Sequence, residues 1–94
     1  MMKNIKDDIK ITTTHSSRLS GIDFNNLSFG NIFSDHMLVC HYKHGSWEIP
    51  QIVPYQPITL NPSSKIFHYG QSIFEGLKAY KDLDDDIFLF RPQD

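Results

Sequence analysis

The stretch FHYGQSIFEGLKAYK, Phe67 to Lys81, holds four aromatic rings, two glycines, a histidine and a glutamate in fifteen residues. That density suits chemistry better than a plain core strand. A nucleophile elbow needs Gly-x-Ser-x-Gly, because both glycines let the backbone turn sharply under the serine. Gly70-Gln71-Ser72-Ile73-Phe74 fails at its last position. A phosphate loop needs four residues between its glycines and then Lys-Ser/Thr, so that successive N–H groups curl around the phosphates. Five residues lie between Gly70 and Gly76, with Leu77 and Ala79 in the wrong places.

Other chemistry-bearing residues fare similarly. Cys40 and His41, with His44 three residues on, carry zinc-ligand side chains. Zinc needs three or four of them converging, and neighbours on an extended chain point to opposite faces. Solvated turn histidines explain them as well. Asp82, Asp84 and Asp86 match the first spacings of a calcium loop, but Ile87 takes the glycine position and Gln93 that of the bidentate glutamate. A hairpin turn accounts for those carboxylates. Asp35-His36 beside Ser34 suggests acid–base chemistry, although adjacent residues on an extended chain seldom meet. Lys78 and Lys81 lack the apolar surroundings or neighbouring cation that would activate an amine, so no catalytic lysine is assigned.

The aromatic set remains. Tyr69 and Phe74 stand near glycines that leave room for a ligand, and Phe29-Gly30 repeats the pairing upstream. Small-molecule pockets are lined in this way, and so are ordinary cores. Residue types and spacing leave both readings open.

These residues must be positioned by extended chain. The first 23 residues are polar and rich in turn formers, an arm with one short strand at Ile9–Thr13. Met37 to Tyr42 reads as a strand, reversed at His44-Gly45-Ser46 and answered by a strand from Trp47 to Val53. Pro50 and Pro54 cannot donate to a ladder and favour a strand edge or end. Pro57 and Pro62 bracket an extended Ile58–Asn61. Leu77–Tyr80 and Ile87–Phe90 form a hairpin across the acidic turn KDLDDD, and a turn of helix fits Gly70–Phe74. No segment keeps a helical period for three turns, so the fold class is α+β, a mostly antiparallel sheet with little helix.

Ninety-four residues support one core rather than two. A net charge of −2 with scattered Lys and Arg offers no field for a phosphate backbone, which argues against nucleic acid. The polar N-terminus lacks the apolar run of a secretory signal, and no stretch is long and apolar enough to span a membrane. A single cysteine fits a reducing compartment, so the expected location is the cytoplasm.

Read in order, LSFGNIFSDHMLVC, WEIPQIVPYQPITLNPSSKIFHYGQSIFEGLKAYK and IFLFRP resemble the N-terminal part of branched-chain amino acid aminotransferases. These belong to the class IV, fold-type IV pyridoxal-phosphate enzymes. The resemblance runs from about Phe24 to Arg91. It implies, at 24–94, part of a small N-terminal domain whose cofactor-bearing partner domain is absent, following the polar arm at 1–23. It also implies that Phe29, Tyr69 and Phe74 wall the pocket for a branched substrate side chain.

The complete enzyme would be a homodimer using pyridoxal phosphate to move an amino group between leucine, isoleucine or valine and 2-oxoglutarate. The family's catalytic lysine and phosphate-binding arginine lie beyond the matched motifs, so no catalytic or cofactor-binding residue is assigned. This chain alone is expected to bind no cofactor and to be inactive. The rival expectation is a stand-alone interaction module that docks a partner through its aromatic patch, or a piece of another fold-type IV enzyme.

Overall fold

The computed structural model describes residues 8–89. It divides into two units, the first ending at Ile58 and the second beginning at Thr59.

The first unit is built on a three-stranded sheet ordered β1 (Lys10–Ile11), β5 (Gln51–Pro54), β2 (His36–Val39). β2 and β5 run antiparallel with Leu38 opposite Ile52, and β1 joins in parallel with Ile11 opposite Ile52. The short arm strand expected at Ile9–Thr13 is therefore present and paired. β5 is central, which a strand flanked by prolines tolerates only because they stand at its ends. Pro50 offers its carbonyl to the Lys10 N–H at 3.1 Å, and Pro54 terminates the ladder.

The expected long hairpin is broken into two registers. β3 (Tyr42–Lys43) and β4 (Ser46–Trp47) pair across a two-residue turn in which His44 and Gly45 have φ of 53° and 80°. Two positive φ values in succession give the reversed twist that tight hairpins use. Val39 then pairs with Gln51, so Cys40 and His41 face three residues, Glu48 to Pro50. That extra residue makes a bulge where Pro50 has no N–H to offer. The Glu48 N–H still donates to the His41 carbonyl at 2.8 Å.

The second unit has less regular structure. Asn61-Pro62-Ser63-Ser64 turns, with the Ser64 N–H donating to the Asn61 carbonyl at 2.9 Å, and leads into the single helical turn α1 (Lys65–His68). The helical turn expected at Gly70–Phe74 thus lies earlier. Gly70, at φ 59°, ends it, and the Gln71 N–H reaches back to the Lys65 carbonyl at 3.2 Å. The left-handed backbone at Gly70 is a natural helix stop.

β6 (Ala79–Lys81) and β7 (Ile87–Leu89) form the acidic hairpin, with Tyr80 opposite Phe88. The expected strands Leu77–Tyr80 and Ile87–Phe90 pair over Ala79–Lys81 and Ile87–Leu89, and Phe90 lies outside the described residues. The turn is organised by Asp82, whose Oδ1 accepts the Asp84 and Asp86 N–H groups, both at 2.9 Å. Asp85 takes the left-handed position at φ 64°.

No hydrophobic residue among those described is fully buried. Partial burial concentrates in β2 and β5. Among residues 59–89 only Ser64 is not exposed. None of the described helices is long and apolar enough to cross a membrane.

Candidate functional site

Phe29 belongs to the first unit, where it occupies the second position of the turn Ser28-Phe29-Gly30-Asn31. The Asn31 N–H donates to the Ser28 carbonyl at 3.3 Å, and Asn31 Nδ2 donates to Ser28 Oγ at 2.8 Å. Gly30 takes φ 80° at the third position, which a side chain resists. The turn holds Phe29 outward with 103% of its reference surface exposed. It borders an open cleft of about 470 Å³ shared with Leu27, Ile32 and Phe33.

A second apolar groove in the same unit has a volume of about 440 Å³ and is lined by Leu19, Ile22, Phe24, Leu27, Ile32 and Phe33 among others.

Tyr69 and Phe74 belong to the second unit. Tyr69 caps α1, donating its N–H to the Lys65 carbonyl at 3.1 Å, and its side chain is 82% exposed. Phe74 lies in the irregular chain after Gly70 and is 98% exposed. Neither ring stacks on another among the described residues. The ring pairs among the described residues are Phe33–Tyr55, parallel at 5.5 Å, and Tyr42–Trp47, edge-on at 5.1 Å. A Cβ added at Gly70 or Gly76 would meet nothing within 4 Å, so space beside these rings is open. Nearby, Leu60, Pro62, Phe67 and His68 frame an apolar hollow of about 370 Å³.

Asp35 and His36, which sequence suggested only as an acid–base pair, are tied to the arm. The Asp35 carboxylate accepts Ser17 Oγ–H at 2.6 Å and the Arg18 N–H at 3.0 Å, with Arg18 Nε at 3.6 Å. The Ser17 hydroxyl foremost, then the Arg18 amide, hold its carboxyl below the ordinary aspartate value, and the Arg18 charge adds to the effect. His36 Nε2 accepts the Thr14 N–H at 2.9 Å. Ser34 Oγ donates to the His36 carbonyl at 2.6 Å rather than meeting the imidazole as a nucleophile would. Arg18 and Ser17 were missed in the sequence because their partners lie 15 to 18 positions away, and no local pattern marks such pairs.

Among the described residues no group of three or more His, Cys, Asp or Glu side chains could hold a metal ion.

No family-level sequence model matches the chain. Individual proteins do. The chain is 46% identical over 89 residues to branched-chain-amino-acid aminotransferase 2 of Bacillus subtilis (strain 168), a match covering 94% of this chain and 24% of that protein. It is 54% identical over 71 residues to branched-chain-amino-acid transaminase 1 of the same organism, covering 74% and 20%. The cytosolic branched-chain-amino-acid aminotransferase of Saccharomyces cerevisiae is 44% identical over 86 residues, covering 89% and 22%. Over most of its length the chain is similar to branched-chain-amino-acid aminotransferases. It spans about a fifth to a quarter of the length of these curated relatives.

Proposed function

We propose that this chain supplies the substrate-side part of a branched-chain aminotransferase, with residues 24–94 as part of its small domain and 1–23 as an arm. Phe29, Tyr69 and Phe74 wall the pocket for the aliphatic side chain of leucine, isoleucine or valine. What carries the reading is the identity of 44% to 54% with proteins of that name across 74% to 94% of the chain. Three largely exposed rings, with no ring partner among the described residues, support it. Flat aromatic walls meet an aliphatic chain closely, and one methylene contact is worth roughly 1–3 kcal/mol of discrimination.

The complete enzyme would transfer the amino group to 2-oxoglutarate with pyridoxal phosphate, as a cytoplasmic homodimer that binds neither nucleic acid nor membrane. Lys43, Lys78 and Lys81 do not suit that cofactor. It needs a water-screened amine and donors converging on its phosphate, whereas Lys43 pairs with Glu48 at 3.7 Å and Lys81 with Asp85 at 3.4 Å, all solvent-facing. Lys78 lies 5.4 Å over the Tyr80 ring. The chain's own contribution is binding and selection.

Grafting the chain in place of the matching stretch of Bacillus subtilis branched-chain-amino-acid transaminase 1 tests this. The graft should transaminate leucine, and Phe74→Ala should raise KM for leucine about tenfold, the loss of roughly one methylene contact or more, with kcat little changed. The isolated chain mixed with pyridoxal phosphate should show neither cofactor absorbance nor turnover. An inactive but folded graft, together with an isolated chain that unfolds cooperatively as a monomer, would replace this reading with the docking module.

A further inference from the structure

The loop that carries Phe29 has little to hold it from within. Between Leu19 and Phe33 its main-chain bonds are local: the 3-10 turn at Leu19–Gly21, the Asn26 N–H on the Asp23 carbonyl at 3.1 Å, and the Ser28–Asn31 turn. No ladder crosses it. Its ends, however, are clamped together by one side chain. Arg18 Nη2 donates to the carbonyls of Ser34 at 3.0 Å and Phe33 at 3.4 Å. The same guanidinium lies 5.7 Å over the Tyr55 ring, which stacks on Phe33.

Asp35 locks the clamp from the other side. It accepts from Ser17 Oγ and from the Arg18 N–H, while its own carbonyl accepts the Tyr55 N–H at 2.8 Å from the end of β5. Residues 19–33 are thus an Ω-loop with its neck tied to the sheet. Arginine suits the task because its planar fork reaches two carbonyls and a carboxylate at once, which a lysine cannot.

We propose that Arg18 and Asp35 are positioning residues that hold the 19–33 loop, and through it Phe29, where the ring can meet an aliphatic substrate side chain. The pocket half of this rests on the role proposed above for Phe29. The clamp half stands on the hydrogen bonds alone.

Backbone NMR relaxation on the 94-residue chain reads the clamp directly. In Arg18→Ala the order parameters at Phe29 and Gly30 should fall below about 0.6, while those at Leu38 and Ile52 stay near about 0.85. Arg18→Lys, which keeps the charge but loses the fork, should give an intermediate loosening and guards against a variant that simply unfolds. Unchanged values at Phe29 in both variants, or an equal fall at Leu38, would overturn the clamp.

The graft then reads positioning. Phe29→Ala and Arg18→Ala should each raise KM for leucine with kcat within about twofold, and the double variant should be no worse than Phe29→Ala alone. Fully additive effects would overturn the positioning role. A loosened loop by NMR together with an unchanged KM in Phe29→Ala would sink the pocket role while leaving the clamp standing.

Discussion

The unit that ends at Ile58 and the unit that begins at Thr59 carry the three proposed pocket rings by different means. In the first, Phe29 rides a loop whose neck is tied by Arg18 and Asp35 to a sheet with a partly buried centre. In the second, Tyr69 and Phe74 follow one helical turn and a left-handed glycine, and nearly every described residue is exposed. Long-range polar bonds organise one. Local backbone geometry organises the other. A segment that buries little apolar surface relies mainly on propensity and turn chemistry to oppose its conformational entropy, so its order depends on residues such as Gly70.

The comparison is broken most severely at Asp35. Replacing it with alanine strands the Ser17 hydroxyl and the Arg18 N–H together, and amide exchange at Thr14 and Tyr55 should accelerate while the Tyr80–Phe88 hairpin is untouched. The same carboxylate sets a pH dependence. Its folded pKa lies below the ordinary 3.8, so its stabilising contribution is complete above that value and is lost as pH falls through the lowered one. Acid titration of the Arg18 amide shift should show this loss, and Asp35→Asn should abolish it.

Gly70→Val tests the second unit. A β-branched residue at φ 59° should cost about 1–2 kcal/mol and unwind α1, read from the Cα chemical shifts of Lys65–His68. The acidic hairpin should respond in the opposite direction. Asp85→Gly relieves the left-handed backbone at φ 64° and should stabilise the hairpin by up to about 1 kcal/mol, seen as stronger cross-strand contacts between Tyr80 and Phe88. The smallest effect belongs to Lys81→Ala. It removes an exposed ion pair with Asp85 at 3.4 Å and should weaken the hairpin by less than about 0.5 kcal/mol, a loss that added salt erases.

Much of the scaffold was legible in the sequence. The β-prone run before His44-Gly45, the prolines around β5 and the acidic reversal before Ile87 each act over a few residues, so local pattern located them. Element bounds were less secure. The bulge opposite Cys40 and His41 arises from two ladder registers meeting, and α1 lies before Gly70 because the glycine stops a helical turn instead of starting one. The Arg18–Asp35 clamp left no trace in spacing. Its members are an ordinary arm arginine and an aspartate beside a histidine.

By itself the sequence determined the resemblance to branched-chain-amino-acid aminotransferases and the mostly antiparallel α+β character, because motif order, turn residues and apolar alternation are properties of neighbouring positions. Only the tertiary structure decided that β1 pairs in parallel with β5, that Asp35 and His36 bind the arm, and that one guanidinium closes the loop bearing Phe29. Those contacts join residues 15 to 41 positions apart, where which donor meets which acceptor is set by how the sheet brings the backbone together.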